Sequence, residues 1–368
     1  MRNLYIIITI LIISIIGTLI FRKKWIEFIP IEIIIIAIGY FIGPGGLNFL
    51  NKYENVQIEP IIILLIGATA FLTGFKFKFN DRRIIKPVFK LTTFFFLVSF
   101  LISFLLFFGI NSFLNLLNFR QIIIIAVFSS SIFPVHFILH KKKTYSSIIN
   151  NYLSHFSLIF IFLILLFIFP LLIDDTLIFT QYINYILFTL ADIIIFSIFM
   201  LYFTKKSRDN KDFFTIFIGI VIFNTALCYI FNINPISIMF FIGIILSNTI
   251  GKEYRKVEKH ILNIEHPLFI GLLLITASFL ILNNLNIYYI SATYFFIHIA
   301  AVVIPLVILH KKFDKGHINS TPQTGAIYTI ILCLMLLGSK DINTVLSPII
   351  IANILIYIIY YIMERSKI

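Results

Sequence analysis

Five ionisable residues stand inside long apolar stretches of this chain and away from their first few positions: Glu32, His136, His155, Asp192 and His298. A charge at the centre of a bilayer costs ~2.5–3.5 kcal/mol on insertion scales, so each such residue calls for a reason. Imidazole, with an ordinary pKa of about 6.5, takes up and releases protons near neutral pH, which makes His155 and His298 candidate proton carriers. A solitary intramembrane histidine is more often a neutral, hydrogen-bonded packing group, and both readings stand. Asp192, in Leu190-Ala191-Asp192-Ile193, is the carboxylate nearest the centre of its stretch. It is either an alternative proton carrier or a structural acid paired with a neighbouring helix. Glu32 lies within two turns of Trp25 and the Arg22-Lys23-Lys24 cluster, a position that suits a carboxylate snorkelling to the interface.

Helix breakers form a second group. Ser129-Ser130-Ser131-Ile132-Phe133-Pro134 interrupts the middle of one apolar run. Pro134 removes a backbone donor and clashes with the preceding turn, while serine hydroxyls can satisfy the groups it frees. Late in the chain, Thr321-Pro322-Gln323-Thr324-Gly325 precedes a short apolar stretch from Ala326 to Leu337. Paired interruptions at matching places in two halves point to a transporter binding site. These two lie an odd number of runs apart, so an inverted repeat would relate them. Kinks made only for packing are the other reading.

The elements that must carry these residues follow from composition. Of 368 residues 60% are hydrophobic and 12% charged, against ~25% charged in soluble domains. A soluble fold cannot cover that much apolar surface. A bilayer core of ~30 Å needs ~20 apolar residues per helix. Runs of that kind occur at about 4–21, 26–42, 58–75, 88–110, 121–139, 146–172, 182–203, 212–231, 235–250, 266–282, 287–309, 318–338 and 344–363. The pattern predicts an all-α polytopic membrane protein of about thirteen transmembrane helices. The first run has no small-residue cleavage site and ends in Arg22-Lys23-Lys24, which predicts a retained helix rather than a signal peptide.

The net charge of +13 arises from 29 Lys and Arg against 16 Asp and Glu. With alternating loops, all but Arg2, Lys52, Arg120 and Lys340 of those basic residues fall on one side. Cytoplasmic loops collect Lys and Arg, so the expected orientation is N-terminus out and C-terminus in. The basic residues form short clusters across one membrane face, not a stripe interleaved with exposed aromatics, which excludes nucleic acid as a partner. No loop has room for a soluble regulatory domain. Cys228 and Cys333 both fall in apolar runs and read as buried thiols. No nucleophile–base pair or metal-ligand cluster stands out, so neither an enzyme nor a cofactor is expected.

Several stretches resemble the monovalent cation/proton antiporter superfamily, the sodium/hydrogen exchanger fold, and within it the glutathione-gated potassium-efflux branch. Ile38-Gly39-Tyr40-Phe41-Ile42-Gly43-Pro44-Gly45-Gly46-Leu47 is similar to that family's Gly-Pro-x-Gly-Leu helix ending. Gly67 to Phe75 resembles its third helix, Ala126 to Ser131 the crossover of the first broken helix, and Phe241 to Arg255 the loop after the ninth helix. Thr321 to Ala326 resembles the Gln-Gly stretch of the second broken helix. The resemblance implies two crossed broken helices in an inverted repeat. It implies a scaffold at about 1–75 and 212–282, a core at about 88–172 and 287–363, and a linker helix at about 182–203.

It also implies a homodimer in the cell membrane, of the bacterial inner-membrane kind, that exchanges monovalent cations, Na⁺ or K⁺, for protons. Its ion and proton pathway would run through His155, His298, Ser129, Ser130, Ser131, Pro134, Gln323, Thr324 and Gly325. The sequence departs from the family pattern at the site itself. His155 aligns with the family's ion-binding Asp, or in a shifted register Asn150-Asn151 does, and the carboxylate is absent in both; His298 aligns with the family's basic residue, usually Lys. Imidazole is a poor ligand for alkali-metal ions, so the site is degenerate. The alternative expectation is therefore a non-transporting or altered-substrate paralogue serving as a membrane sensor or partner subunit.

Overall fold

The computed structural model describes residues 31–47, 52–79, 82–130, 159–164, 166–167, 179–206, 210–231, 233–251, 267–282, 284–310 and 342–365. The first and twelfth apolar runs lie outside these residues, as do Ser131, Pro134, His136, His155, Gln323, Thr324 and Gly325. Among the described residues all regular structure is helical. In chain order the helices are α1 (Ile31–Ile42), α2 (Lys52–Phe75), α3 (Arg82–Leu114), α4 (Phe119–Ser129) and α5 (Phe179–Lys206). There follow α6 (Asn210–Ile230), α7 (Pro235–Thr249), α8 (Pro267–Ser278), α9 (Leu285–His310) and α10 (Ile342–Arg365).

Most of these ends fall within a few residues of the apolar runs. Three differ, the first being α2, which starts at Lys52 through the polar segment Lys52–Gln57. At 33 residues α3 is longer than its apolar run, because the polar segment Arg82–Lys86 continues the helix beyond the hydrocarbon. Helix α4 is shorter than its run, ending at Ser129. Three of the described helices are long and apolar enough to cross a bilayer: Thr92–Leu114, Thr180–Lys206 and Leu285–Pro305.

Helix starts are marked by short polar side chains. At α4, Asn118 accepts from the Gln121 backbone N–H at 2.9 Å, and the Gln121 side chain accepts from the Asn118 N–H at 2.9 Å. This reciprocal capping box satisfies two of the orphan donors of the first turn. At α7, Asn234 accepts from the Ile236 N–H at 3.0 Å, with Pro235 at the first helical position. Between α3 and α4 the chain turns through Asn115 at φ 52°, a left-handed conformation that asparagine tolerates. Asn111 holds this turn, accepting from Leu116 and Leu117 N–H at 3.1 and 2.8 Å.

The chain divides into two compact units, each built from two separate segments. One is Met1–Phe79 with Phe162–Phe279, the other Asn80–Ile161 with Leu280–Ile368. In the first, α2 crosses α7 at glycines. A Cβ on Gly74 would strike the Phe240 carbonyl, and one on Gly243 the Phe71 carbonyl. Small residues of this kind let two backbones approach closely where no hydrophobic effect drives helices together. Helix α1 repeats the device against α8, where Gly39 and Gly43 meet the carbonyls of Leu274 and Ser278. Asn248, at the end of α7, clamps the chain leaving α2. Its Nδ2 donates to the Phe77 carbonyl at 2.7 Å, and its Oδ1 accepts from the Phe79 N–H at 2.8 Å. Glu32 sits buried in the first turn of α1. That corrects the snorkelling expectation: the acid lies at the positive end of a helix dipole and inside the protein.

In the second unit α3, α4, α9 and α10 pack together. The Ser99 hydroxyl on α3 donates to the Ala301 carbonyl on α9 at 2.8 Å. Phe107 of α3 leans on Tyr294 of α9, with ring centroids 6.3 Å apart.

Candidate functional site

The site is built around the end of α4. The last carbonyls of a helix have no partner within it, and here serines and a histidine supply what is missing. The Ser130 N–H donates to the Ala126 carbonyl at 3.0 Å. The Ser129 hydroxyl donates to the same carbonyl at 3.1 Å, and the Ser130 hydroxyl to that of Val127 at 2.8 Å. Both serines are fully buried. The Ser129 carbonyl itself meets Nδ1 of His298, reaching across from α9 at 2.7 Å.

A carbonyl oxygen can only accept, so Nδ1 carries the hydrogen and the imidazole is fixed in one tautomer. Its other nitrogen, Nε2, then presents a lone pair, and it is buried with no partner. One turn earlier on α9, the Tyr294 ring lies parallel to the imidazole, at 4° and 5.9 Å between centroids. The Tyr294 hydroxyl accepts from Asn353 Nδ2 on α10 at 3.3 Å, and the same Nδ2 donates to the Ile349 carbonyl at 2.8 Å. Asn353 Oδ1 is buried without a partner.

Nε2 is the ring atom open to a proton, and its burial without a polar partner opposes the charged form. The Nδ1–H bond to Ser129 survives protonation, and the resulting cation would face the negative, carbonyl end of α4, where helix dipoles favour positive charge. This geometry does not suit a bare alkali-metal ion, which wants several oxygen ligands. Among the described residues no group of three His, Cys, Asp or Glu side chains is placed to hold a metal.

The structure thus brings together three of the residues singled out by sequence, His298, Ser129 and Ser130. Asp192 belongs to the other unit. On α5 it accepts from Asn224 Nδ2 of α6 at 3.0 Å. Asn224 Oδ1 in turn accepts from the Cys228 thiol at 3.6 Å. Cys228 is a buried free thiol. The Asn224 contact ties Asp192 to a neighbouring helix and is compatible with either reading of the acid. The sequence reading missed Tyr294, Asn353 and Asn224. A search for uncharged amides in apolar runs would have found both asparagines, and the spacing of four from His298 marks Tyr294 as its neighbour on one helix face.

No protein-family model matches the chain, and no curated protein sequence does. Solved structures are similar. The structure of the sodium proton antiporter MjNhaP1 from Methanocaldococcus jannaschii at pH 8 matches with a TM-score of 0.68 and 15% identity, over 100% of this chain and 97% of that one. An electron-microscopy map of the same antiporter gives 0.67 and 16%, over 99% and 96%. The matched protein is a transporter, not an enzyme. From end to end, this chain has the helical membrane fold of a sodium proton antiporter.

Proposed function

We propose that the protein is a secondary active transporter that exchanges a monovalent cation, Na⁺ or K⁺, for protons. The observation that carries this reading is the termination of α4 at Ser129 with its last carbonyl held by His298, within a chain whose whole length follows an antiporter fold. An imidazole with a free lone pair is a group that can hold and release a proton, and the helix end beside it supplies a dipole that favours positive charge. In this reading His155 is the second proton-linked group, and Ser131, Pro134 and Gln323–Gly325 complete the crossover. The chain crosses the cell membrane about thirteen times with its N-terminus outside. The segments near 88–172 and 287–363 move as a core against a scaffold near 1–75 and 212–282 that dimerises, with 182–203 as linker.

The test is exchange in proteoliposomes carrying an internal pH dye. Na⁺ and K⁺ gradients imposed between pH 5 and 9 should each be compared with choline, alongside His155→Ala. Cation-dependent proton movement that His155→Ala diminishes supports the proposal. Its absence at every pH overturns it. A second reading rests on one specific feature of the sequence: His155 and His298 stand where the resembled family carries Asp and Lys. A chain lacking an available carboxylate at its ion site could retain the fold as a sensor or partner subunit. Exchange that emerges only in His155→Asp/His298→Lys would favour that reading.

A further inference from the structure

Helix α3 carries an exposed stripe with the dimensions of one lipid molecule. Lys86, Lys90, Phe94, Leu97, Leu101 and Leu105 are all exposed. At about 100° per residue these positions fall within a sector of roughly 100°, so they form one continuous face. The two lysines stand four apart, which places their stems about 5–6 Å from each other on the same side of the helix. Two ammonium groups at that spacing repel one another, and α3 contains no Asp or Glu along its length to offset them. Beyond them the stripe is wholly apolar. From Phe94 to Leu105 it rises about 16 Å, close to the ~15 Å depth of one leaflet of a ~30 Å hydrocarbon core. These exposed apolar side chains are 42–58% accessible, so nothing among the described residues covers them.

We infer that this face of α3 is a binding site for an anionic phospholipid, whose phosphate bridges Lys86 and Lys90 and whose acyl chain lies along Phe94–Leu105. The occupant follows from complementarity. The lysine pair asks for a compact anion at the membrane surface, and the attached stripe asks for a hydrocarbon chain of one leaflet's length. Phe89 is exposed beside the lysines, where an aromatic ring suits the headgroup boundary. The inference depends on the chain lying in a membrane but not on which ion it moves, so failure of exchange would leave it standing.

The experiment uses the full chain, purified in detergent, delipidated and analysed by native mass spectrometry with added phosphatidylglycerol or phosphatidylcholine of identical acyl chains. Wild type should retain phosphatidylglycerol in preference to phosphatidylcholine. Lys86→Gln/Lys90→Gln should reduce that preference roughly five- to thirtyfold. Lys86→Arg/Lys90→Arg, which keeps both charges, should preserve it. Lys205→Gln/Lys206→Gln, at the exposed end of α5, should preserve it too. Equal retention of the two lipids, or a preference untouched in the Gln pair, would overturn the inference. So would a cross-link from Leu101→Cys to a second copy of the chain in native membranes, because the stripe would then be a protein interface.

Discussion

An imidazole whose Nδ1 is committed to a carbonyl keeps one nitrogen for chemistry, and His298 is held in that state by Ser129. Removing the ring leaves the Ser129 carbonyl buried without its donor, a loss of about 1–3 kcal/mol. His298→Ala should therefore lower the thermal stability of the purified protein. His298→Asn separates the two roles, because its Nδ2 sits where Nδ1 does and can still donate to the carbonyl. That variant should melt close to wild type yet lose the pH dependence of ion exchange. An unchanged pH profile would leave His298 as a helix cap alone. Asp192 invites the opposite expectation. Asp192→Asn keeps an oxygen for Asn224 and should preserve both folding and flux. Asp192→Leu strands the Asn224 amide and should cost about 1–3 kcal/mol. Flux abolished in Asp192→Asn would instead make this carboxylate the proton carrier. The sequence showed which residues were out of place in lipid but not what they touch. His298 and Ser129 are 169 positions apart, and nothing local in either helix specifies that pairing.

Helices in this protein are held together by close backbone approach, and glycines show where. Gly74 and Gly243 each lie against a carbonyl of the opposing helix, whereas a methyl on Gly109 of α3 or Gly219 of α6 would meet nothing within 4 Å. An added methyl at either of the first two sites must push α2 and α7 apart, at about 1–3 kcal/mol. At the two open sites it only restricts the unfolded chain and favours helix, a gain of about 0.5–1 kcal/mol. Thermal melts of the four Gly→Ala variants in one detergent should therefore fall into two opposite groups. A uniform response would mean that the α2–α7 crossing is not tightly packed. All four glycines look alike in the sequence, each a small residue inside an apolar run. The runs themselves foretold where helices such as α5 and α9 begin and end, because apolar length is a local property. Which glycine meets a carbonyl is decided by the partner helix. The serines were legible as a break, but the histidine that stabilises it was not legible as their partner.

At the scale of the whole molecule, the net charge of +13 is a statement about orientation. Basic loops resist translocation, and the thirteen crossings expected from the sequence would put nearly all Lys and Arg on one set of loops, giving one preferred way to insert. The expected arrangement leaves the C-terminus in the cytoplasm. A fluorescent protein fused after Ile368 should therefore fluoresce, and alkaline phosphatase at the same position should be inactive. A cysteine placed at Asn51 should react with an impermeant maleimide on intact cells, and one at Lys205 only after permeabilisation. Reversed labelling at both sites would invert the topology, and agreement at only one would mean that the number of crossings between them is not what the apolar runs give. The outcome also bears on the lipid stripe. Lys86 and Lys90 follow the same basic loop as Lys76 and Lys78, so the expected orientation puts that headgroup in the cytoplasmic leaflet, where anionic lipids draw basic residues most strongly. If labelling places this loop outside, the two lysines would face the leaflet with less anionic lipid, and the lipid preference should weaken in native membranes while persisting in detergent.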